Sequence, residues 1–512
     1  MSGSVSEINK KTAFEILDIQ DFNDRIVGAY NNGTAEEGLP ADISTARSLI
    51  PAGTGALRDF SYIAPDIPEF LADNCVACME CVTQCPDTAI LGKAIPESRL
   101  NDTVEKLESG EITGWISEQW ADTNKFSKVP EKQGKEPAKF GIFIDPTKCK
   151  GCAECVDACG DHEALTMITK IDDTIPKYQE AFDFFTSLGD TPSEYINERV
   201  LVDMMLASDS LLYTGGAGSC MGCGEGSALR MMLAATGCNT VYGSTYPYNP
   251  FLVPWTNSLF ENVSADAMGV RSRWNQMGWD DKKLWCIGGD GAMVDIGFQS
   301  MSRMLASGMD INVLILDTQV YSNTGGQTST ASYVGQDAKM SMVGKEIGGK
   351  IERRKEIGNL CMMHPDVFVA QTTCAHTNHF YKAIMAANEY PGPAVINVFT
   401  TCQPEHGVAD DMAMHQAKLA ADSRAFPVFI YDPTKGERFS ERLSLQGNPA
   451  KNKDWYVNPK TKEQVDFVSF AKTEGRFAKH FDKDGNPDEL ILTGQKHQLA
   501  NWRQLQELAG IN

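Results

Sequence analysis

At 512 residues the chain has room for about two to four domains and an ample core. A net charge of −22 weighs against a nucleic-acid partner, whose phosphates need basic surface. No apolar run reaches the roughly 18 residues that span a membrane, and the polar start MSGSVSEINKKTAFEILDIQDF has no apolar signal stretch, so the expectation is a cytoplasmic protein without a membrane anchor.

Residues 1–60 are read as an N-terminal extension that contacts a partner. Residues 61–185 carry two copies of C-x2-C-x2-C-x3-C: Cys75, Cys78, Cys81 and Cys85, then Cys149, Cys152, Cys155 and Cys159. Fifteen cysteines without an export signal fit metal ligation in a reducing compartment better than disulfides. In this spacing three ligands wrap one iron–sulfur cube, and the fourth, after the longer gap, serves the other. One [4Fe–4S] cluster is therefore assigned to Cys75, Cys78, Cys81 and Cys159, and a second to Cys149, Cys152, Cys155 and Cys85. An insert at about residues 90–140 reads as a helix and a polar loop, ending in a lysine- and proline-rich surface loop. GIFIDPTKC reads as a strand entering the second motif.

Residues 186–430 change character. LWCIGGDGAMVDIG and DINVLILDTQVYSNTGGQTS are apolar runs of strand length ending in polar, glycine-rich loops, and FQSMSRMLASG between them has helical spacing. This is a β-α-β unit, which implies a parallel sheet with ligands at the carboxyl ends of its strands. Asp290, between Gly289 and Gly291, suits Mg²⁺, which takes one or two carboxylates plus phosphate oxygens. The glycines would let a diphosphate approach the backbone, and Thr318 and the Val320 carbonyl would complete the ligand set. Four further cysteines, Cys220, Cys223, Cys238 and Cys402, form a third candidate cluster set. Cys286, Cys361 and Cys374 have no partner pattern, and Cys286, inside the apolar LWCIGG run, reads as a small core residue; His364, His376 and His379 read as packing residues and the methionines as core filling. The basic runs KIERRKE and KGERFSERL read as solvated faces. Residues 431–512 form a closing segment.

CMGCGE, ATGC, NSLFEN, GGDGAMVDIG, DTQVYSNTGGQTS and FTTC follow one another in the order seen in the pyruvate:ferredoxin oxidoreductase family, which the chain resembles from about residue 40 to residue 490. The resemblance implies an α/β fold: a doubly wound parallel sheet that binds thiamine diphosphate, preceded by an α+β ferredoxin-like domain with two [4Fe–4S] clusters. It implies that Cys220, Cys223, Cys238 and Cys402 hold a proximal cluster beside the thiazolium ring. Asp290, Thr318 and Val320 would hold Mg²⁺. Gly222, Cys223, Gly224 and Glu225 would line the cofactor, Asn323, in YSNTGG, would sit near the reacting carbon as the catalytic residue, and Thr324 beside it would bind the cofactor.

The activity implied is coenzyme A-dependent oxidative decarboxylation of a 2-oxoacid, pyruvate first, to acyl-CoA and CO2, with single electrons passing to ferredoxin. The reaction is reversible as reductive carboxylation. The resemblance also implies a second subunit that carries the pyrimidine-binding and substrate- and coenzyme A-binding domains, including the glutamate that activates thiamine, in a dimer of heterodimers. QPEHG follows the third set where pyruvate-specific relatives carry INQG, so 2-oxoglutarate stays open as the substrate. A non-catalytic polyferredoxin subunit is the alternative of a different class.

Overall fold

The computed structural model describes residues 19–39, 50–107, 110–207, 211–236, 239–241, 247–253, 255–256, 258–341 and 348–511. Cys238 lies outside them.

The first cysteine motif follows strand β1 (Asp66–Phe70) and runs into helix α1 (Glu80–Gln84). The chain continues through β2 (Ile90–Pro96), α2 (Glu97–Val104), α3 (Glu111–Glu118), β3 (Trp120–Ala121) and β4 (Ala138–Ile144). The second motif runs into α4 (Glu154–Cys159), followed by β5 (Leu165–Thr169) and α5 (Thr174–Ser187). β1 pairs with β5, and β2, β4 and β3 form a second sheet in that order, all antiparallel.

The insert is more ordered than a helix and a polar loop. Ile112, Trp115 and Ile116 recur at helical spacing in α3, and with Trp120 they pack against Phe143 and against Phe184 and Phe185 of α5. Its lysine- and proline-rich end buries Phe126 and Pro130 before β4 begins. A Cβ on Gly141 would fall 2.7 Å from the Trp120 ring, so β4 needs glycine where β3 crosses it.

Beyond α6 (Gly224–Thr236) lie β6 (Asn239–Val241), β7 (Trp255–Thr256), α7 (Val263–Gln276), β8 (Leu284–Gly289), α8 (Phe298–Leu305) and β9 (Asn312–Asp317). Then come β10 (Phe368–Thr373), α9 (Thr377–Glu389), β11 (Ala394–Phe399), α10 (Ala413–Asp422), β12 (Phe429–Tyr431) and β13 (Leu443–Ser444). The sheet order is β13-β12-β10-β11-β9-β8-β6-β7, with β10 to β7 parallel and β12 and β13 antiparallel at one edge. The expected β-α-β unit is β8-α8-β9. Strands β9, β10 and β11 are buried at every residue, the pattern of parallel strands covered on both faces. Cys286, Cys361 and Cys374 are fully buried core residues. Helices α11 (Phe467–Lys472) and α12 (Glu489–Leu508) close the chain.

One continuous core joins the two regions: Ile67, Phe140 and Ile142 share it with Leu229, Leu314 and Phe399. In the N-terminal stretch, Phe22, Ile26 and Val27 pack on Tyr248 of the same chain. The run KIERRKE is a solvated face only at Ile351, Glu352 and Arg353, which are exposed. Lys350 is buried and donates to the carbonyls of Ser329, Thr330 and Ser332, while Arg354 is buried against Asp317. Burial of a cationic run requires such partners, and the sheet end supplies them.

Candidate functional site

The carboxyl ends of three adjacent strands meet at one place. β8 ends at Gly289 and delivers Asp290, β9 ends at Asp317 and delivers Thr318 to Val320, and β11 ends at Phe399 and delivers Cys402. Asp290 is 1% exposed. Thr318 Oγ1 lies 3.2 Å from Asp290 Oδ1 and 2.9 Å from the Val320 carbonyl oxygen, so carboxylate, hydroxyl and carbonyl converge. The Ser329 hydroxyl donates to the other carboxylate oxygen. Burial, and then the neighbouring Asp317 charge, push the Asp290 carboxyl well above the usual range. A buried carboxylate partnered by hydroxyls and a carbonyl is an all-oxygen donor set, and such a set fits a hard divalent cation.

Gly291, beside Asp290, has a packing role as well. Neither it nor Gly289 has a left-handed backbone, and a Cβ on Gly291 would strike the Tyr321 ring at 2.7 Å. Tyr321 donates to Asp295 at 2.7 Å and so ties the YSNTGG loop to the turn after β8. Asn323 and Thr324 are exposed on that loop, and Thr324 donates to the Tyr321 carbonyl at 3.2 Å.

Ser322 couples this oxygen set to the third cysteine group. Its hydroxyl donates to Thr318 Oγ1 at 2.8 Å and lies within hydrogen-bonding reach of Cys402. Cys402 faces Cys223, and burial pushes both thiols up, Cys402 to about 11. Gln403 Nε2 donates to the Gly222 carbonyl, and the Gly224 N–H donates to the Thr401 carbonyl at 3.3 Å, so the CMGCGE loop is pinned to the end of β11. Among the described residues Cys223 and Cys402 are the pair drawn together, with Cys220 exposed on the segment before them. Glu225, in the first turn of α6, is pushed up to about 7 by burial.

The other eight cysteines surround two cavities. Cys75, Cys78, Cys81 and Cys159 line one, and Cys85, Cys149, Cys152 and Cys155 line the other, so the last cysteine of each motif faces the first three of its counterpart. Burial, then neighbouring sulfurs, raise the thiols, with Cys75 pushed up to about 11 and Cys149 to about 12. Such groups are stable as thiolates only against bound positive charge. Among the described residues no three His, Cys, Asp or Glu side chains close on one point as the ligands of a single ion do. The cysteines instead enclose cavities, as a cube requires, because each thiolate then binds a different iron.

The two cavities are neighbours, and the second adjoins the sheet. Arg230 of α6 donates to the Cys85 carbonyl at 3.1 Å, and Ser227 donates to the Gln84 carbonyl at 2.7 Å. Lys150 pairs with buried Asp87 at 2.8 Å and donates to the Ser219 carbonyl at 2.9 Å, beside Cys220. Cys78 of the other cavity is exposed, beside Val76 at 46% exposure.

Several side chains that build this arrangement carry no signal in the sequence. Ser322 and Ser329 lay inside a loop already noted, but serine alone carries no distinguishing pattern. Asp317 and Arg354 are a fully buried ion pair, and Arg354 was hidden in a run that read as surface.

Residues 235–398 match the family described as thiamine pyrophosphate enzyme, C-terminal TPP binding domain, and the carboxyl-end site lies in and just beyond that stretch. The chain's relatives are pyruvate oxidoreductases. It is 26% identical to the pyruvate-flavodoxin oxidoreductase of Rhodospirillum rubrum over 88% of this chain and 42% of that one. It is also 26% identical to the pyruvate:ferredoxin oxidoreductase of Moorella thermoacetica over 83% of this chain and 41% of that one. The chain thus spans about two fifths of the length of these relatives. A solved 2-oxoglutarate:ferredoxin oxidoreductase from Magnetococcus marinus is 22% identical over 36% of this chain and 64% of that one, with a TM-score of 0.31.

Proposed function

We propose that this chain is the thiamine diphosphate- and Mg²⁺-binding, electron-transferring part of a 2-oxoacid:ferredoxin oxidoreductase, with pyruvate as its first substrate. The observation that carries this reading is the convergence of Asp290, Thr318 and the Val320 carbonyl at the ends of adjacent strands, beside the strand end that delivers Cys402. Thiamine diphosphate supplies a ring that takes up the electrons left by decarboxylation, and iron–sulfur clusters accept them one at a time.

The residues divide the work by position. Asp290, Thr318 and the Val320 carbonyl would hold the metal that neutralises the diphosphate. Cys223 and Cys402, with Cys220 and Cys238, hold the cluster nearest the cofactor. Cys85, Cys149, Cys152 and Cys155 hold the next, against α6, and Cys75, Cys78, Cys81 and Cys159 hold the one that meets the acceptor, where Cys78 is exposed. An exposed Cys78 beside exposed Val76 supports that end as the exit. Cluster ligation also accounts for four cysteines gathered around each cavity.

A second polypeptide supplies the pyrimidine-binding side, the activating glutamate and most of the coenzyme A site. Its support here is an apolar patch beside the thiamine loops: Leu259, Phe260 and Ile296 are 65%, 53% and 54% exposed, and a Cβ on Gly297 would come within 3.0 Å of the Phe260 carbonyl, so the two turns adjoin. Among the described residues no helix is long and apolar enough to cross a membrane.

The test is anaerobic purification with any co-isolating subunit, then coenzyme A-dependent viologen reduction with pyruvate, 2-oxoglutarate and 2-oxobutyrate in parallel. Activity with pyruvate, together with bound thiamine and iron, is the expected result. A preparation rich in iron but unable to bind thiamine diphosphate would identify a non-catalytic electron carrier instead.

A further inference from the structure

Beneath the turn that carries Thr318 and Val320, buried side chains from three distant segments converge. Gln319, between them, has a φ of +56° and no exposure, a left-handed backbone that a residue with a side chain adopts only when held there. Its side-chain oxygen accepts from Arg476 Nη2 at 3.1 Å, and its carbonyl accepts from Gln336 Nε2 at 2.9 Å and Ser332 Oγ at 2.5 Å. Gln336 itself accepts from Arg476 Nη1 at 3.3 Å. His406 Nε2 donates to the Thr318 carbonyl at 2.8 Å.

Arg476 is in turn fixed from below. Its Nε donates to Glu474 Oε2 at 2.6 Å, both side chains are fully buried, and the other Glu474 oxygen faces His406 Nδ1 at 3.8 Å. Gly475, between them, lies so close to Gly407 that a Cβ on either would come within 3.1 Å of the other's Cα. A guanidinium and a carboxylate stripped of water are costly unless their geometry is used. Here three donors of one guanidinium span Glu474, Gln336 and Gln319, which is a fork that lysine cannot reproduce.

We propose that Arg476, set by Glu474, is a positioning residue that locks the Thr318–Gln319–Val320 turn in its left-handed form, so that a segment near the C-terminal end governs how tightly the metal and diphosphate are held. This rests on the reading of Asp290, Thr318 and Val320 as the metal site. The lock presents the Thr318 hydroxyl and the Val320 carbonyl to Asp290 before any ligand arrives. Without it the turn relaxes, and binding must first restore it.

The test uses the full chain, prepared anaerobically, with Mn²⁺ as a spectroscopic probe titrated in the presence of thiamine diphosphate. Arg476→Met and Gln319→Leu are each expected to weaken Mn²⁺ binding roughly tenfold, the size of the one charged hydrogen bond to Gln319 that both remove, with iron content retained; Gln319→Leu keeps the buried Arg476–Glu474 pair, whereas Arg476→Met leaves Glu474 buried and unpaired and lowers the melting temperature. Arg476→Lys should fall between them and the parent. Gln319→Leu leaves Glu474 paired but also removes the Gln319 Nε2 bonds to the Asp317 carbonyl and Oδ1, so if Arg476→Met does not fold, Arg476→Lys, which keeps Gln319 and Asp317 intact, decides the matter. Parent-like Mn²⁺ affinity in Gln319→Leu would overturn the lock while leaving the metal site standing. Failure of the parent chain to bind Mn²⁺ with thiamine diphosphate would overturn the site and the lock together.

Discussion

A single added methyl at Gly222 is expected to cost the chain the third of its proposed clusters. Gly222 has a φ of +66°, and an alanine Cβ there would lie 1.8 Å from the Asp410 carbonyl oxygen and 2.9 Å from Gln403 Nε2. The first contact is far inside the 3.0 Å that real Cβ atoms respect, and its partner is backbone, so the loop must move. The left-handed conformation costs alanine about 1 kcal/mol. Loss of the Gln403 hydrogen bond to the Gly222 carbonyl adds about 1 kcal/mol. The pinned loop is thus disfavoured by about 2 kcal/mol, roughly 30-fold, which is enough to separate Cys223 from Cys402. Iron analysis should fall from about twelve to about eight atoms per chain, the loss of one cube of three. Gly134→Ala is the control, because Gly134 has a φ of +71° but nothing within 4 Å of the added carbon. A Gly222→Ala chain with full iron content and unimpaired viologen reduction would refute this account of the loop.

Asp290→Ala should abolish thiamine diphosphate and Mn²⁺ binding while leaving iron content intact, as read by paired metal and cofactor analysis. Arg354→Met leaves Asp317 buried without its partner, at a cost of about 3–5 kcal/mol, and Asp317→Asn in the same chain should recover much of the lost melting temperature. His376 and His379 bond to Thr373 and Thr372 at 2.8 and 3.0 Å, and burial pushes both down to about 4 from an ordinary 6.5. Both are therefore neutral when folded, and the unfolded chain binds more protons between those values. Their stabilisation is complete above pH 6.5 and falls as pH drops towards 4, by about 2 kcal/mol each at pH 5. His379→Gln should flatten the dependence of melting temperature on pH over that range, and an unchanged slope would contradict the shift.

The parts of the fold that were legible in the sequence are those with a strong local period. β8, α8 and β9 announced themselves through apolar runs and a helical interval, and the cysteine spacing anticipated which sulfurs share a cavity. Asp290, Thr318 and Val320 were legible because a carboxylate at a strand end and a polar loop after the next strand must meet in a parallel sheet. What stayed hidden depends on distant residues. Arg354 and Lys350 look like surface charges until the loop of Ser329 to Ser332 folds over them. Arg476 and Glu474 are far from Gln319 in sequence, and no local rule pairs them. The insert was underread because the apolar positions of α3 are spaced among polar residues and find partners only in α5 and β4.

The small cysteine-bearing unit and the sheet are not separable modules. Arg230 and Ser227 reach from α6 to the backbone around Cys85, Glu154 accepts from the N–H groups of Ala413 and Met414 at 3.2 and 3.0 Å, and a Cβ on Gly226 would come within 3.1 Å of Pro86. A transplanted relay from another protein would have to bring the same carbonyls and the same proline to α6, and a chain cut between residues 187 and 224 would leave two raw apolar faces. Recombination in this molecule is therefore constrained at its seam: the cysteine-bearing unit and the sheet fold around one core.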